Sequence, residues 1–156
     1  MAKSNGDHIP QRYTQVTVDF NPNRRQMFQF EGDSVVRDPI RHPEVRIGIE
    51  SGSGINMIVF VLESSNPDAV FAGEAFQWVT GRGEGARAAP TPPGIVIQNH
   101  TDKRILLQNF NSTDFGPDGE TELFDFHLLV LCGGTMYASP DPTIINQTSP
   151  DPPPGR

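Results

Sequence analysis

Leu123-Phe124-Asp125-Phe126-His127-Leu128-Leu129-Val130-Leu131 is the longest alternating run in the chain. A Cys132-Gly133-Gly134 break follows it, then Met136-Tyr137-Ala138, then the octet Ser139-Pro140-Asp141-Pro142-Thr143-Ile144-Ile145-Asn146. Successive side chains of a strand point to opposite faces. Phe124, Phe126, Leu128 and Val130 therefore share one face, and Asp125, His127, Leu129 and Leu131 share the other. The first face is apolar throughout, and the second turns apolar only toward its end. That pattern describes a strand entering the middle of a sheet, followed by a return held stiff by prolines.

Working outward, the rest of the chain reads as more short strands between turns. Thr14, Val16, Val18 and Phe20 alternate with Tyr13, Gln15, Thr17 and Asp19, a half-buried first strand. Asn21-Pro22-Asn23 is a turn, and Met27, Phe28 and Phe30 suggest a short paired strand after it. Residues 31–43 read as a charged loop around Val35-Val36, and Val45, Ile47 and Ile49 as another strand. Ile55-Asn56-Met57-Ile58-Val59-Phe60-Val61-Leu62 is apolar on both faces, as a central strand is. Phe126 and Val59 are both expected to point inward between the sheets. In residues 70–79, Val70, Phe71, Ala75, Phe76 and Trp78 fit neither the helical nor the strand period well, and the stretch is read as a strand. Ile95-Val96-Ile97 and Ile105-Leu106-Leu107 flank a polar tip and predict a hairpin.

Fifteen glycines and 15 prolines in 156 residues rule out a helical bundle and fit many turns. The expected architecture is all-β, an immunoglobulin-like β-sandwich of about seven to nine short strands. Residues 13–148 form the single domain, with a disordered N-terminus at 1–12 and a proline-rich disordered tail at 149–156.

The formal net charge is −7 and it is unevenly spread. Up to Arg46 there are seven Lys/Arg against six Asp/Glu, and beyond it five against thirteen. Nucleic-acid binding draws on clustered positive charge, whereas Arg37, Arg41 and Arg46 are interleaved with Asp38 and Glu44. A nucleic-acid partner is therefore not expected. No run approaches the roughly 18 apolar residues of a membrane span. The N-terminal Met1-Ala2-Lys3-Ser4-Asn5-Gly6-Asp7 lacks the apolar core of a signal peptide, and Cys132 is the only cysteine. A soluble, acidic, cytoplasmic protein is the expectation.

The octet from Ser139 to Asn146 resembles the C-terminal signature of the DP-EP family, small bacterial proteins named for their Asp-Pro and Glu-Pro dipeptides. Val16-Thr17-Val18 is similar to that family's opening strand, and Phe71-Ala72-Gly73-Glu74-Ala75-Phe76 to its mid-chain segment. This chain has no Glu-Pro dipeptide. The resemblance implies an immunoglobulin-like sandwich with no established activity.

Four constellations invite a chemical reading. His127, Cys132 and Met136 supply ligand types of a blue-copper centre, with His42 or His100 as a second imidazole. No His lies between Cys132 and Met136, and ordinary strand-end packing accounts for them better. Asp125 and His127 share a face as an orienting carboxylate and a base would, with Ser139 or Cys132 as the nucleophile. Gly81-Arg82-Gly83-Glu84-Gly85 has the glycine content of a phosphate loop but runs into Ala88-Ala89-Pro90 rather than a helix. Asp114, Asp118, Glu120 and Glu122 cluster hard oxygen ligands for calcium but lack EF-hand spacing. None outweighs its plain structural explanation. The expected role is a non-enzymatic binding or assembly module without a cofactor, partnered by another protein or by itself. The alternative is a metal-binding sandwich, calcium before copper.

Overall fold

A computed structural model of the chain describes residues 11–33, 35–37, 45–49, 54–80, 87–111, 122–140 and 143–146. All the secondary structure among them is strand, in two sheets. The first sheet has the order β2-β1-β5-β9-β8 and contains β1 (Gln11–Phe20), β2 (Phe28–Glu31), β5 (Gly54–Ser64), β8 (Ile95–His100) and β9 (Arg104–Asn111). The second has the order β3-β4-β12-β10-β6-β7 and contains β3 (Val35–Arg37), β4 (Val45–Ile49), β6 (Val70–Thr80), β7 (Arg87–Ala88), β10 (Glu122–Cys132) and β12 (Thr143–Asn146). β11 (Thr135–Ala138) also pairs with β10. Neighbours are antiparallel except β1 with β5 and β12 with β4.

The long alternating strands fall as their patterns predict. Val16, Val18 and Phe20 of β1 are fully buried, as are Phe126, Leu128 and Val130 of β10. The sheets meet over an aromatic centre in which Phe60 of β5 lies edge-on to Phe76 and Phe126, at centroid distances of 5.2 and 6.0 Å. Trp78 stacks on Phe76 at 5.5 Å. At one end the Asp102-Lys103 turn of the β8–β9 hairpin bridges the sheets. Leu62 donates to the Lys103 carbonyl and Phe71 to the Asp102 carbonyl, both at 2.8 Å, while the Lys103 ammonium bonds the Ala69 carbonyl.

Several expectations need correction. The described residues hold twelve strands rather than seven to nine. The extra ones include β3, β7 and β11, whose two to four residues are too few to display a period. Val35-Val36, read as loop, pairs with Ile47 and Arg46. β1 begins at Gln11, with Gln11 and Arg12 paired to Ile55 and Asn56, two residues before the strand start expected at Tyr13. Residues 1–10 and 147–156 lie outside the described residues. Val59 is only half-buried, on the outer face of β5; the inward residues of that stretch are Ile58, Phe60 and Leu62.

The irregularity at residues 70–79 has a specific cause. Phe76 and Trp78 oppose Leu128 and Phe126, but Phe71 opposes Val130. Residues 72–75 thus stand against the single Leu129, and an odd surplus of three residues reverses the pleat. Phe71 and Trp78 both face inward although an odd number of positions separates them. No single period can describe such a strand.

Candidate functional site

Two strands share one side of β10. β11 pairs with residues 129–132 and β12 with residues 122–125, so Ser139 lies at their junction. The Gly133-Gly134 turn that starts the return has φ of 58° and 81°, the left-handed values of a two-residue hairpin turn. Ala138 opposes Leu129 and Thr143 opposes Asp125. The return therefore spends four residues, 139–142, where β10 spends three, 126–128. That offset of one residue changes the inward set from Tyr137 and Ser139 to Ile144, which is fully buried.

Ser139, only 2% exposed, holds the junction together. Its N–H donates to the Leu128 carbonyl at 2.9 Å, an ordinary ladder bond. The answering bond is made by the side chain: the Leu128 N–H donates to Ser139 Oγ at 2.8 Å. Ser139 Oγ–H in turn donates to the Pro140 carbonyl at 2.7 Å. The Ser139 carbonyl, displaced from the ladder, accepts from His127 Nδ1 at 2.7 Å. A carbonyl can only accept, so Nδ1 carries the hydrogen and Nε2 is left with its lone pair in the neutral ring.

This geometry does not assemble a nucleophile. Asp125 and His127 do share the outer face of β10, half-buried, as expected. The ring, however, bonds the Ser139 carbonyl rather than the hydroxyl, and the hydroxyl hydrogen is already engaged by Pro140. Cys132 is buried and free on the opposite face.

The same parity separates the copper candidates. Cys132 lies inward, His127 lies outward, and Met136 is 53% exposed. His100 is on β8 of the other sheet, and His42 is outside the described residues. Asp114, Asp118 and Glu120 also lie outside them, while Glu122 opens β10 opposite Asn146. Among the described residues no group of three or more His, Cys, Asp or Glu is placed to hold a metal. Residues 81–86, including the glycine-rich segment, and Asp141 and Pro142 of the octet fall outside the described residues as well.

The surface that residue reasoning passed over is the first sheet. β8 is its terminal strand, and there Val96 is 48% and Ile97 38% exposed. On the broad outer face, Val59 and Val61 are half-buried, and Tyr13 is 68% exposed. At its β1–β2 side is an open cleft of about 310 Å³ lined by Tyr13, Thr14, Gln15, Thr17, Glu31, Gly32 and Asp33. The signal was present in β5, whose apolar residues occupy both faces although only one face meets the second sheet. Among known proteins, no family model matches this chain and no curated protein is significantly similar to it.

Proposed function

We propose that the chain is an immunoglobulin-like β-sandwich acting as a non-enzymatic binding or assembly module, which accepts an extended segment of a partner protein along β8. The observation that carries this reading is the character of that edge. β8 runs for six residues, against four, three, two and four in the other strands that pair with a single neighbour, β2, β3, β7 and β11. It contains no Lys, Arg, Asp, Glu or Pro, the residues that commonly protect an edge from pairing. A terminal strand offers unpaired backbone groups to an incoming strand, and exposed side chains beside it supply specificity. The bulge at Gln98, where Ile97 opposes Leu107 but Asn99 opposes Leu106, divides the edge, so pairing starts along Ile95, Val96 and Ile97. The likeness of residues 139–146 to the DP-EP signature stands beside this reading and adds no activity to it.

Selection of peptides from a displayed random library against the purified protein tests the proposal. Enriched peptides should bind the wild type and lose about ten-fold or more in affinity for Ile97→Lys, which sets a charge at the pairing edge. Failure to enrich any peptide, or binding indifferent to Ile97→Lys, would refute it.

A further inference from the structure

We infer that the broad outer face of the first sheet is a homodimer interface, packed on the same face of a second copy across a two-fold axis parallel to β5. This goes beyond the edge reading, because it concerns the face of the sheet and names its occupant.

The argument begins with β5. A strand with one face in the core and one in water alternates apolar and polar residues. β1 obeys this on its outer face with Gln15, Thr17 and Asp19, and β10 with Asp125 and His127. β5 does not: Ile55, Met57, Val59 and Val61 make its outer face apolar for most of its length, and Leu106 of β9 stands beside Val59. Met57 is buried and Ile55, Val59 and Val61 are half-buried, so the strip is partly covered within the chain, and the second sheet, on the opposite side, does not complete that cover.

The strand register then indicates what the cover is. One row across four strands reads Glu31, Thr17, Val61, Arg104. Glu31 and Arg104 are exposed, and among the described residues neither forms an ion pair. Three strand spacings, about 14 Å, separate their backbones, too far for a comfortable pair within one chain. A two-fold axis lying along β5 reverses each row onto itself. Arg104 of one copy then lies above Thr17 of the other, beside Glu31, and the contact is made twice; Asp19, two residues along β1, is already paired with Arg24 of its own chain at 3.4 Å. The row Tyr13, Met57, Gln108, Val96 is reversed in the same way, bringing the exposed Tyr13 over Gln108 and Val96. The face thus has an apolar strip down its middle, the Glu31 carboxylate on one flank and the Arg104 cation on the other, which this orientation brings together. Two sheets packing in this aligned manner sit about 10 Å apart with a modest twist between them. The five strands present a flat footprint on the order of 600 Å². That is the low end of the roughly 600–1,000 Å² per partner of a stable interface.

Sedimentation equilibrium on the full chain tests the inference. The wild type should be a dimer at micromolar concentration. Arg104→Glu and Glu31→Arg should each raise the dimer dissociation constant about ten-fold or more, by placing like charges together. The double variant carrying both changes should recover most of the loss, which a merely unfolded protein could not do. Ile97→Lys should leave the dimer intact, and Arg104→Glu should leave peptide binding at β8 intact, so the face and the edge stand or fall separately. A monomeric wild type, a dimer indifferent to Arg104→Glu, or a folded double variant that stays monomeric would each overturn it.

Discussion

Replacing Ser139 by alanine removes one oxygen atom, and both hydrogen bonds of that oxygen have known partners. Oγ accepts from the Leu128 N–H at 2.8 Å and donates to the Pro140 carbonyl at 2.7 Å. Leu128 and Ser139 are both buried, so water cannot readily take over the acceptor's place. Leaving a buried donor unsatisfied costs about 1–3 kcal/mol, and losing the second bond costs about 0.5–1.5 kcal/mol more. Ser139→Ala should therefore destabilise by about 2–4 kcal/mol in urea denaturation, with an unchanged m-value. His127→Ala, which gives up a half-buried ring bond to the Ser139 carbonyl, should lose less, about 1 kcal/mol. Amide exchange gives a residue-level check: the Leu128 amide should be among the slowest in the wild type and markedly faster in Ser139→Ala, with Phe126 little changed. If Ser139→Ala loses under about 0.5 kcal/mol and Leu128 stays protected, the hydroxyl is not replacing a ladder carbonyl and this account of the junction fails.

Other consequences are equally direct. Phe126→Ala should cost about 3–5 kcal/mol because the ring is fully buried against Phe60, Phe76 and Trp78. Val59→Ala, on the outer face, should cost under about 1.5 kcal/mol in the monomer; comparable losses in chemical denaturation would mean that the faces of β5 are reversed. Gly32→Ala should cost on the order of 2 kcal/mol or more, since its φ is 157° and an added Cβ would collide with the Gln15 carbonyl oxygen; a melting temperature equal to the wild type would contradict that. Treatment with EDTA followed by calcium should leave the thermal midpoint unchanged, whereas a reversible drop would favour a calcium site reaching Glu122.

How much of this could be read beforehand depended on strand length and on interruptions of the pleat. β1, β5 and β10 declare themselves because ten or eleven residues give alternation room to show. β6 is just as long, yet its surplus of three residues opposite Leu129 reverses the pleat midway, and the averaged pattern looks like no regular element. The return after Gly133-Gly134 carries a smaller version of the same defect, one residue, so Ser139 and Ile144 both point inward despite their odd separation. Two of the candidate constellations come apart for reasons of orientation. Asp125 and His127 do share a face, but which atom of Ser139 meets the imidazole depends on the displaced carbonyl, which spacing cannot reveal. Cys132 and His127 are an odd number of residues apart on a regular strand, so parity alone set them on opposite faces. The apolar outer face of β5 was visible as letters but was assigned to burial, because a strand apolar on both sides usually lies between two layers.

The measurement that bears most directly on the central claim, that the first sheet is the working surface, is residue-resolved hydrogen exchange with and without a peptide selected against the protein. The account predicts new protection in Ile95, Val96 and Ile97, with the outer face of β10 around His127 unchanged. Protection confined to β10 and β11, with β8 exchanging as fast as in the free protein, would place binding on the second sheet and contradict it.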